Sequence, residues 1–167
     1  MSTDAIVILK DDHKKIKKLF REFQAAAGKD DHAAQGRLVG QILEALTVHT
    51  YLENEIMYPE VRKLLPDLED DILESYEEHH VADVLCLELA SMTPSDERFV
   101  AKVTVLAENI THHIDEEESE WFPKVREGLG RKELQEMGAR MVDARRSAPT
   151  RPTEPKALRK ALDAVRA

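Results

Sequence analysis

Cysteine, aromatic residues and long apolar runs are scarce in this chain of 167 residues, and each scarcity excludes a class of protein. The single cysteine, Cys86, rules out an internal disulfide framework and fits a reducing compartment. No apolar run reaches the length of a membrane span, and the chain does not open with a basic-then-apolar signal segment, so we expect a cytoplasmic protein. Aromatic residues make up 5% and charged residues 34%, which favours a helical bundle over a sheet protein.

Charge is distributed unevenly. The net charge is −9, but residues 144–167 hold seven Lys or Arg against two acidic residues, a net of +5. The rest of the chain therefore carries −14 (−9 minus +5). An acidic body argues against nucleic acid as the main partner and suits a protein that accumulates cations.

Four amphipathic patterns with a helical period cover 3–27, 31–65, 67–91 and the stretch from Thr93-Pro94 to 127. Their short connections predict an all-α, up-down-up-down four-helix bundle over residues 1–130. Residues 131–146 are expected to form a short additional helix. Residues 147–167 are expected to be a proline-containing linker and a basic tail.

The tail has apolar residues, Leu158, Leu162 and Val165, at helical spacing among its basic residues. Three interpretations stay open. The tail docks on the acidic body, it binds a protein partner or a membrane surface, or it is a flexible solubilising segment.

One short motif occurs twice, and it carries the functional prediction. His49 and Glu53, like His113 and Glu117, are four residues apart, so on a helix each pair shares one face. Each copy leads to an aromatic-proline pair, Tyr58-Pro59 or Phe122-Pro123, at the same distance (59 − 49 and 123 − 113). Because a proline inside a helix tends to kink it, both helices are expected to kink there. The chain therefore reads as two copies of one helical hairpin.

The first helix of each hairpin should contribute a histidine as well. His13 lies on the apolar stripe of the first helix, and His79 lies on that of the third, although the adjacent His80 stays an alternative. Burying four imidazoles and two carboxylates is costly unless cations compensate them. Two metal ions that share the glutamates as bridges would do so. The predicted ligands are His13, His49, Glu53, His79, His113 and Glu117. In the acidic run 115–120, mostly a solvated face, Glu116 is the residue expected to assist the site.

These motifs resemble those of the hemerythrin-like, or HHE cation-binding, family, over roughly residues 3–127. The family is a four-helix bundle with a histidine on its first and third helices and His-x-x-x-Glu on the second and fourth. The resemblance implies a non-haem centre of two iron ions, oxo- or hydroxo-bridged, that meets O₂, nitric oxide or peroxide.

One departure from the family pattern bears on the activity. Oxygen-carrying hemerythrins place a second histidine one turn after the third-helix histidine, where this chain has Asp83. Three alternatives stay open: Asp83 is the ligand at that position, His80 binds the metal from the adjacent position, or the metal has a lower coordination number. Three hypotheses follow: a protein that binds or senses O₂, nitric oxide or iron, a redox enzyme that acts on peroxide, nitric oxide or ferrous iron, and a structural bundle that binds zinc or no metal.

Overall fold

The structure, a computed structural model, describes residues 3–163. Its α-helices are α1 (Ala5–Ala27), α2 (His32–Leu52), α3 (Tyr58–Leu64), α4 (Glu69–Ala90), α5 (Phe99–Glu116), α6 (Phe122–Gly128), α7 (Arg131–Arg145) and α8 (Pro155–Asp163). Two π-helical turns, Glu53–Met57 and Glu117–Trp121, join α2 to α3 and α5 to α6, and a 3₁₀ turn, Pro66–Leu68, precedes α4. None of the helices in 3–163 combines the length and apolar character that crossing a membrane requires.

The fold is the predicted all-α bundle, with one boundary that differs from the sequence pattern. We expected the fourth bundle helix to begin at Thr93-Pro94, but α5 begins at Phe99. The Asp96 carboxylate accepts a hydrogen bond from the Thr93 amide at 2.6 Å, and the Asp96 amide donates to the Thr93 carbonyl at 2.9 Å. This closed turn competes with helix formation and delays the helix start.

Two apolar clusters fill the bundle, one at each end. The first contains Phe23, Leu46 and Leu89, and the second contains Leu9, Met57 and Phe122. Along α1, Leu9 belongs to one cluster and Ile16 to the other, with His13 between them. The predicted ligands thus form a polar layer at mid-height, closed by apolar residues on both sides.

The two kinks take the form of π turns, and each turn begins at the glutamate of its motif. The Tyr58 amide donates to the Glu53 carbonyl, and the Phe122 amide donates to the Glu117 carbonyl, in both cases five residues back. The proline that follows has no N–H to continue the α-helical pattern. Such π turns are frequent at functional sites.

The C-terminal helices pack on the bundle. Met137 and Met141 of α7 share an apolar cluster with Leu52 and Ile56, so α7 covers the first hairpin. Helix α8 packs against α2 and α4. Of the three interpretations of the tail, docking on the acidic body describes residues 155–163. Val165, at the end of the apolar stripe, lies outside the described residues.

Lys160 anchors α8 to the bundle, and its charged side chain is only 2% exposed. Its ammonium donates to Asp83 Oδ1 and to Thr50 Oγ1, both at 2.7 Å. A buried charge of this kind is tolerated only when it is paired. Docking of α8 therefore depends on one ion pair as well as on apolar contact.

We expect Lys160→Ala to lower the free energy of unfolding by about 3 kcal/mol, because it leaves the Asp83 carboxylate without its ion-pair partner. Arg159→Ala removes the same charge from the exposed face of the same helix and should change stability by less than about 0.5 kcal/mol. Urea unfolding of both variants measures this. Equal stabilities for the two variants would contradict the anchoring role.

Gly138 in α7 lies against the start of the chain, and a Cβ atom there would be 1.5 Å from the Thr3 carbonyl oxygen. Gly138→Ala should therefore destabilise the protein by about 2 kcal/mol. Gly40→Ala is the matched control. Gly40 is exposed on α2, and a Cβ atom there would have no neighbour within 4 Å. Gly40→Ala should therefore stabilise the protein by roughly 0.5–1 kcal/mol. Thermal unfolding that shows the same sign for both would refute the close approach of α7.

Candidate metal centre

All six predicted ligands are buried in the polar layer, and none is more than 3% exposed. Helices α1, α2, α4 and α5 each contribute a histidine, and the two π turns contribute the glutamates. The side chains fall into two sets that share Glu53.

The first set holds four residues whose ligand atoms all lie within 4.8 Å of one another: His13, His49, Glu53 and Glu117. His49 Nε2 is 3.2 Å from Glu53 Oε2, and His13 Nε2 is 3.3 Å from Glu117 Oε2. Each histidine therefore faces a carboxylate, one from its own hairpin and one from the other.

The second set holds Glu53, His79 and His113, again within 4.8 Å. His79 Nε2 is 3.2 Å from Glu53 Oε2, and His113 Nε2 is 3.4 Å from Glu117 Oε1. The Tyr58 hydroxyl lies among these groups. It donates to Glu117 Oε1 at 2.9 Å and lies 3.2 Å from His79 Nε2.

The other ring nitrogen of each bundle histidine faces an oxygen atom outside the sets. His13 Nδ1 lies 2.8 Å from Glu118, His49 Nδ1 lies 3.3 Å from Asp12, and His79 Nδ1 lies 2.6 Å from Asn54. His113 Nδ1 makes a short contact with Glu78. Such partners fix the ring and favour a proton on Nδ1, so that in the neutral imidazole Nε2 is the nitrogen that can bind a metal.

These outer partners follow the same two-fold repeat as the ligands. Asp12 and Glu78 each come directly before the first histidine of a hairpin, and each contacts the second histidine of that hairpin. Asn54 and Glu118 each come directly after a motif glutamate, and each contacts the first histidine of the other hairpin. The hairpins are therefore equivalent in their polar contacts as well as in their ligands.

Two positions break the symmetry. Tyr58 and Phe122 occupy equivalent places, but only the tyrosine brings a hydroxyl into its set, whereas Phe122 stacks on His13 with ring centroids 5.7 Å apart. Asn54 is neutral where Glu118 is acidic. The two sets thus differ mainly by one hydroxyl and one carboxylate.

The pKa values follow from these contacts. Burial would lower the pKa of His49, but Glu53 and Asp12 outweigh it and raise that pKa to about 10. Burial would also lower the pKa of His113, but Glu117 and Glu78 outweigh it and raise that pKa to about 9. At His79, burial and the charge of His113 outweigh Glu53 and lower the pKa to about 4.

The same interactions act on the oxygen ligands. The neighbouring His49 and His79 overcome the effect of burial and hold the pKa of Glu53 well below its usual value. Burial and the nearby Glu117 and Glu53 raise the pKa of Tyr58 well above 10, so Tyr58 is a neutral phenol that donates hydrogen bonds.

The two less certain ligand candidates, His80 and Asp83, face α8 instead of the centre. His80 Nδ1 lies 3.2 Å from the Ala161 carbonyl, and Asp83 pairs with Lys160. Neither joins a ligand set among the described residues. The position of the additional histidine in the oxygen carriers is thus occupied here by an ion pair with the C-terminal helix.

We expected Glu116 to assist the site, but within the acidic run it is Glu118 that contacts a predicted ligand, His13, at 2.8 Å. Glu116 instead contacts the exposed His112, 3.1 Å away, because the π turn begins after it and rotates the following residues. The outer partners Asp12, Asn54 and Glu78 and the hydroxyl of Tyr58 were not predicted either. The repeat contained a signal for Asp12 and Glu78, since both precede the first histidine of a hairpin.

The arrangement fits metal binding. Four buried atoms of the first set form no hydrogen bond within the described residues: His13 Nε2, His49 Nε2, Glu53 Oε1 and Glu117 Oε2. Unsatisfied polar atoms are rare in protein interiors, and here four of them converge. Imidazole nitrogen with carboxylate oxygen is a donor set that suits first-row transition metals.

Comparison with known proteins agrees with this chemistry. The hemerythrin HHE cation-binding domain model matches residues 4–125, so the chain belongs to the hemerythrin HHE cation-binding family. Membership implies metal binding by the bundle.

Two curated relatives and one solved structure are similar to this chain. A "DNA nickase" of Nostoc sp. (strain PCC 7120) is 30% identical over 129 residues, which cover 77% of this chain but only 35% of that protein. An uncharacterized hemerythrin-like protein of Schizosaccharomyces pombe is 25% identical over 83% of this chain and 68% of its own length. The crystal structure of an HHE cation-binding domain-containing protein from Mycobacterium kansasii, an Rv2633c homologue, covers 86% of both chains with a TM-score of 0.71 and 22% identity, which supports the fold.

The outer partners can be tested with adjacent aspartates. Asp12→Asn should weaken metal binding by roughly 10- to 100-fold, because the amide no longer holds His49 Nδ1 as a charged acceptor does. The neighbouring Asp11 is exposed, and Asp11→Asn should leave the affinity unchanged. Competition with a chromophoric chelator measures both affinities. An unchanged affinity in Asp12→Asn would refute the orienting role.

Proposed function

We propose that the chain is a non-haem di-iron protein whose centre binds or senses O₂, nitric oxide or iron. The observation that carries this proposal is the convergence, in the first set, of four buried ligand atoms that form no hydrogen bond among the described residues. His13 and His49 would hold one iron ion, His79 and His113 would hold the other, and Glu53 and Glu117 would supply carboxylate ligands.

Iron is favoured over other metals by the ligand types. Two carboxylates in reach of both sets tolerate ferric charge, whereas structural zinc sites typically use cysteine, and Cys86 lies in the apolar cluster. A bound iron pair would supply redox chemistry towards small oxidants. The chain would supply burial, ligand orientation through the four Nδ1 contacts, and a phenol at the second set.

A second candidate, a redox enzyme acting on peroxide, nitric oxide or ferrous iron, is supported by two observations. The Tyr58 hydroxyl is a buried donor inside the second set, within reach of a ligand that would sit beside His79 and His113. Asp83 pairs with Lys160, which leaves the second set with fewer protein ligands than an oxygen carrier has. A less saturated ion with a proton donor nearby suits catalysis better than reversible O₂ carriage.

Nucleic acid is not part of the proposal. The similarity to the nickase extends over about a third of that protein. The net charge of −9 opposes binding to a phosphate backbone. We expect a small diatomic molecule or peroxide as the ligand, in a cytoplasmic protein.

The C-terminal tail offers a surface for a protein partner. Leu162 on α8 is 61% exposed and Leu158 is 36% exposed, on the face that does not pack against the bundle. We propose that this face binds a protein that responds to the state of the centre. Leu162→Ser should then weaken that association without changing the metal content.

The Tyr58 hydroxyl separates the two functions. After anaerobic ferrous loading, Tyr58→Phe should keep about two irons per chain. If the protein is an enzyme, this variant should lower peroxide turnover by roughly 100-fold, because a proton donor is lost. Tyr76→Phe is the matched control, since Tyr76 only packs edge-on against Tyr58 with ring centroids 5.2 Å apart.

A binding or sensing protein gives a different pattern. Its visible spectrum changes reversibly on exposure to O₂ or nitric oxide, with no net consumption of either gas. The exchange variant Tyr58→Phe/Phe122→Tyr moves the hydroxyl to the first set and should restore turnover only if the position within the centre is unimportant. Failure of the wild type to retain iron after loading would refute both functions.

A further inference from the structure

An acidic cavity connects the surface with the predicted metal centre. It has a volume of about 90 Å³ and lies between α4 on one side and α5, its π turn and α6 on the other. Its floor includes His113 and Glu117, which are predicted ligands. Its carboxylates are Asp71, Glu74, Glu78, Glu116, Glu117 and Glu120. Lys124 is the only Lys or Arg among the described lining residues, and it is paired with Asp71 at 3.0 Å.

A cluster of metal-ligand types lies beside this cavity, and two of its three residues, Glu78 and Glu116, line it. The ligand atoms of Glu78, His112 and Glu116 lie within 4.8 Å of one another. The His112 and Glu116 side chains are 67% and 47% exposed, so solvent reaches the cluster. Glu78 also contacts His113 Nδ1, so one carboxylate joins the cluster to the centre.

Within the described part of the chain, two buried polar atoms without a hydrogen bond belong to residues that line the cavity, and one of them, Glu117 Oε2, lies 3.3 Å from His13 Nε2. Among the described residues, neither Glu117 Oε2 nor Trp121 Nε1 forms a hydrogen bond, although Trp121 is only 4% exposed and both residues line the cavity. A carboxylate oxygen is a ligand for a cation, and an indole N–H can donate to a water that the cation carries. The polar atoms inside the cavity therefore suit a hydrated cation.

The equivalent face of the first hairpin is different. The two motif copies are 64 residues apart (113 − 49). The residues equivalent to His112, Glu116 and Glu120 are therefore Val48, Leu52 and Ile56. Leu52 and Ile56 are buried beneath α7, in one apolar cluster with Met137. Of two equivalent faces, one is thus apolar and covered, and the other is acidic and open.

From these observations we propose that Glu78, His112 and Glu116 form a third, transient divalent-cation site, and that cations pass from it through the acidic cavity to the buried centre. The proposal rests on the metal centre of the proposed function. The negative charge of the cavity lining determines which kind of solute enters. Carboxylates concentrate cations and repel anions, whereas a neutral molecule such as peroxide gains nothing from them.

The test follows Co²⁺ uptake by the full chain in stopped flow, through the visible absorption of bound cobalt. The variant is His112→Ala/Glu116→Gln, which removes two ligands of the cluster and leaves Glu78 to contact His113. We expect the loading rate to fall about tenfold, while about two ions per chain still bind at the end. Raising the ionic strength should slow the wild type more than the variant, because salt screens the attraction.

His32→Ala/Glu127→Gln is the matched control, since it removes the same residue types from exposed positions that do not line the cavity. It should load at the wild-type rate. If the His112→Ala/Glu116→Gln variant also loads at the wild-type rate to full occupancy, the entry site is refuted while the metal centre stands. If the wild type binds no cobalt at the centre, the proposed function fails and this inference fails with it.

Discussion

Burial of charge at mid-height in the bundle is the constraint on which the rest of the structure depends. Four imidazoles and two carboxylates lie between two apolar clusters, where isolated charges are very costly. Mutual contacts offset this cost. Carboxylates raise the pKa of His49 and His113, and the Nδ1 atom of each bundle histidine lies close to an oxygen atom. The contacts inside the first set are incomplete, and this incompleteness is the physical reason for expecting metal.

The π turns translate that constraint into backbone geometry. Each begins at a motif glutamate and ends before an aromatic-proline pair, so one local distortion aims both Glu53 and Tyr58 into the layer. The same distortion explains why Glu118, and not Glu116, reaches His13. A regular α-helix would have placed these side chains differently. A regular helical period in the sequence does not reveal the extra residue that each π turn contains.

Repetition made the fold and the ligand types predictable. The His-x-x-x-Glu copies and their prolines fixed the equivalence of the hairpins, and a helical period was sufficient to choose His79 as the residue on the apolar stripe. Contacts between hairpins were not predictable in the same way. That Asp12 contacts His49, or that Lys160 pairs with Asp83 across 77 residues of chain, depends on helix rotation and on where the tail docks.

The departures from symmetry carry most of the functional interpretation. One hairpin offers a phenol at the centre and the other a phenyl ring, and one outer face is covered by α7 while the other forms an acidic cavity. A centre built by duplication but differentiated in this way presents one more saturated side and one more accessible side. Cation entry and reaction with small oxidants would both occur on the side of the second hairpin.

Mössbauer spectroscopy of protein loaded anaerobically with ⁵⁷Fe²⁺ and then exposed to air is the decisive measurement for a two-iron centre whose halves differ. We expect two quadrupole doublets of equal area, one for each set, from about two irons per chain. A single iron per chain, iron that washes away, or preferential retention of zinc would contradict it.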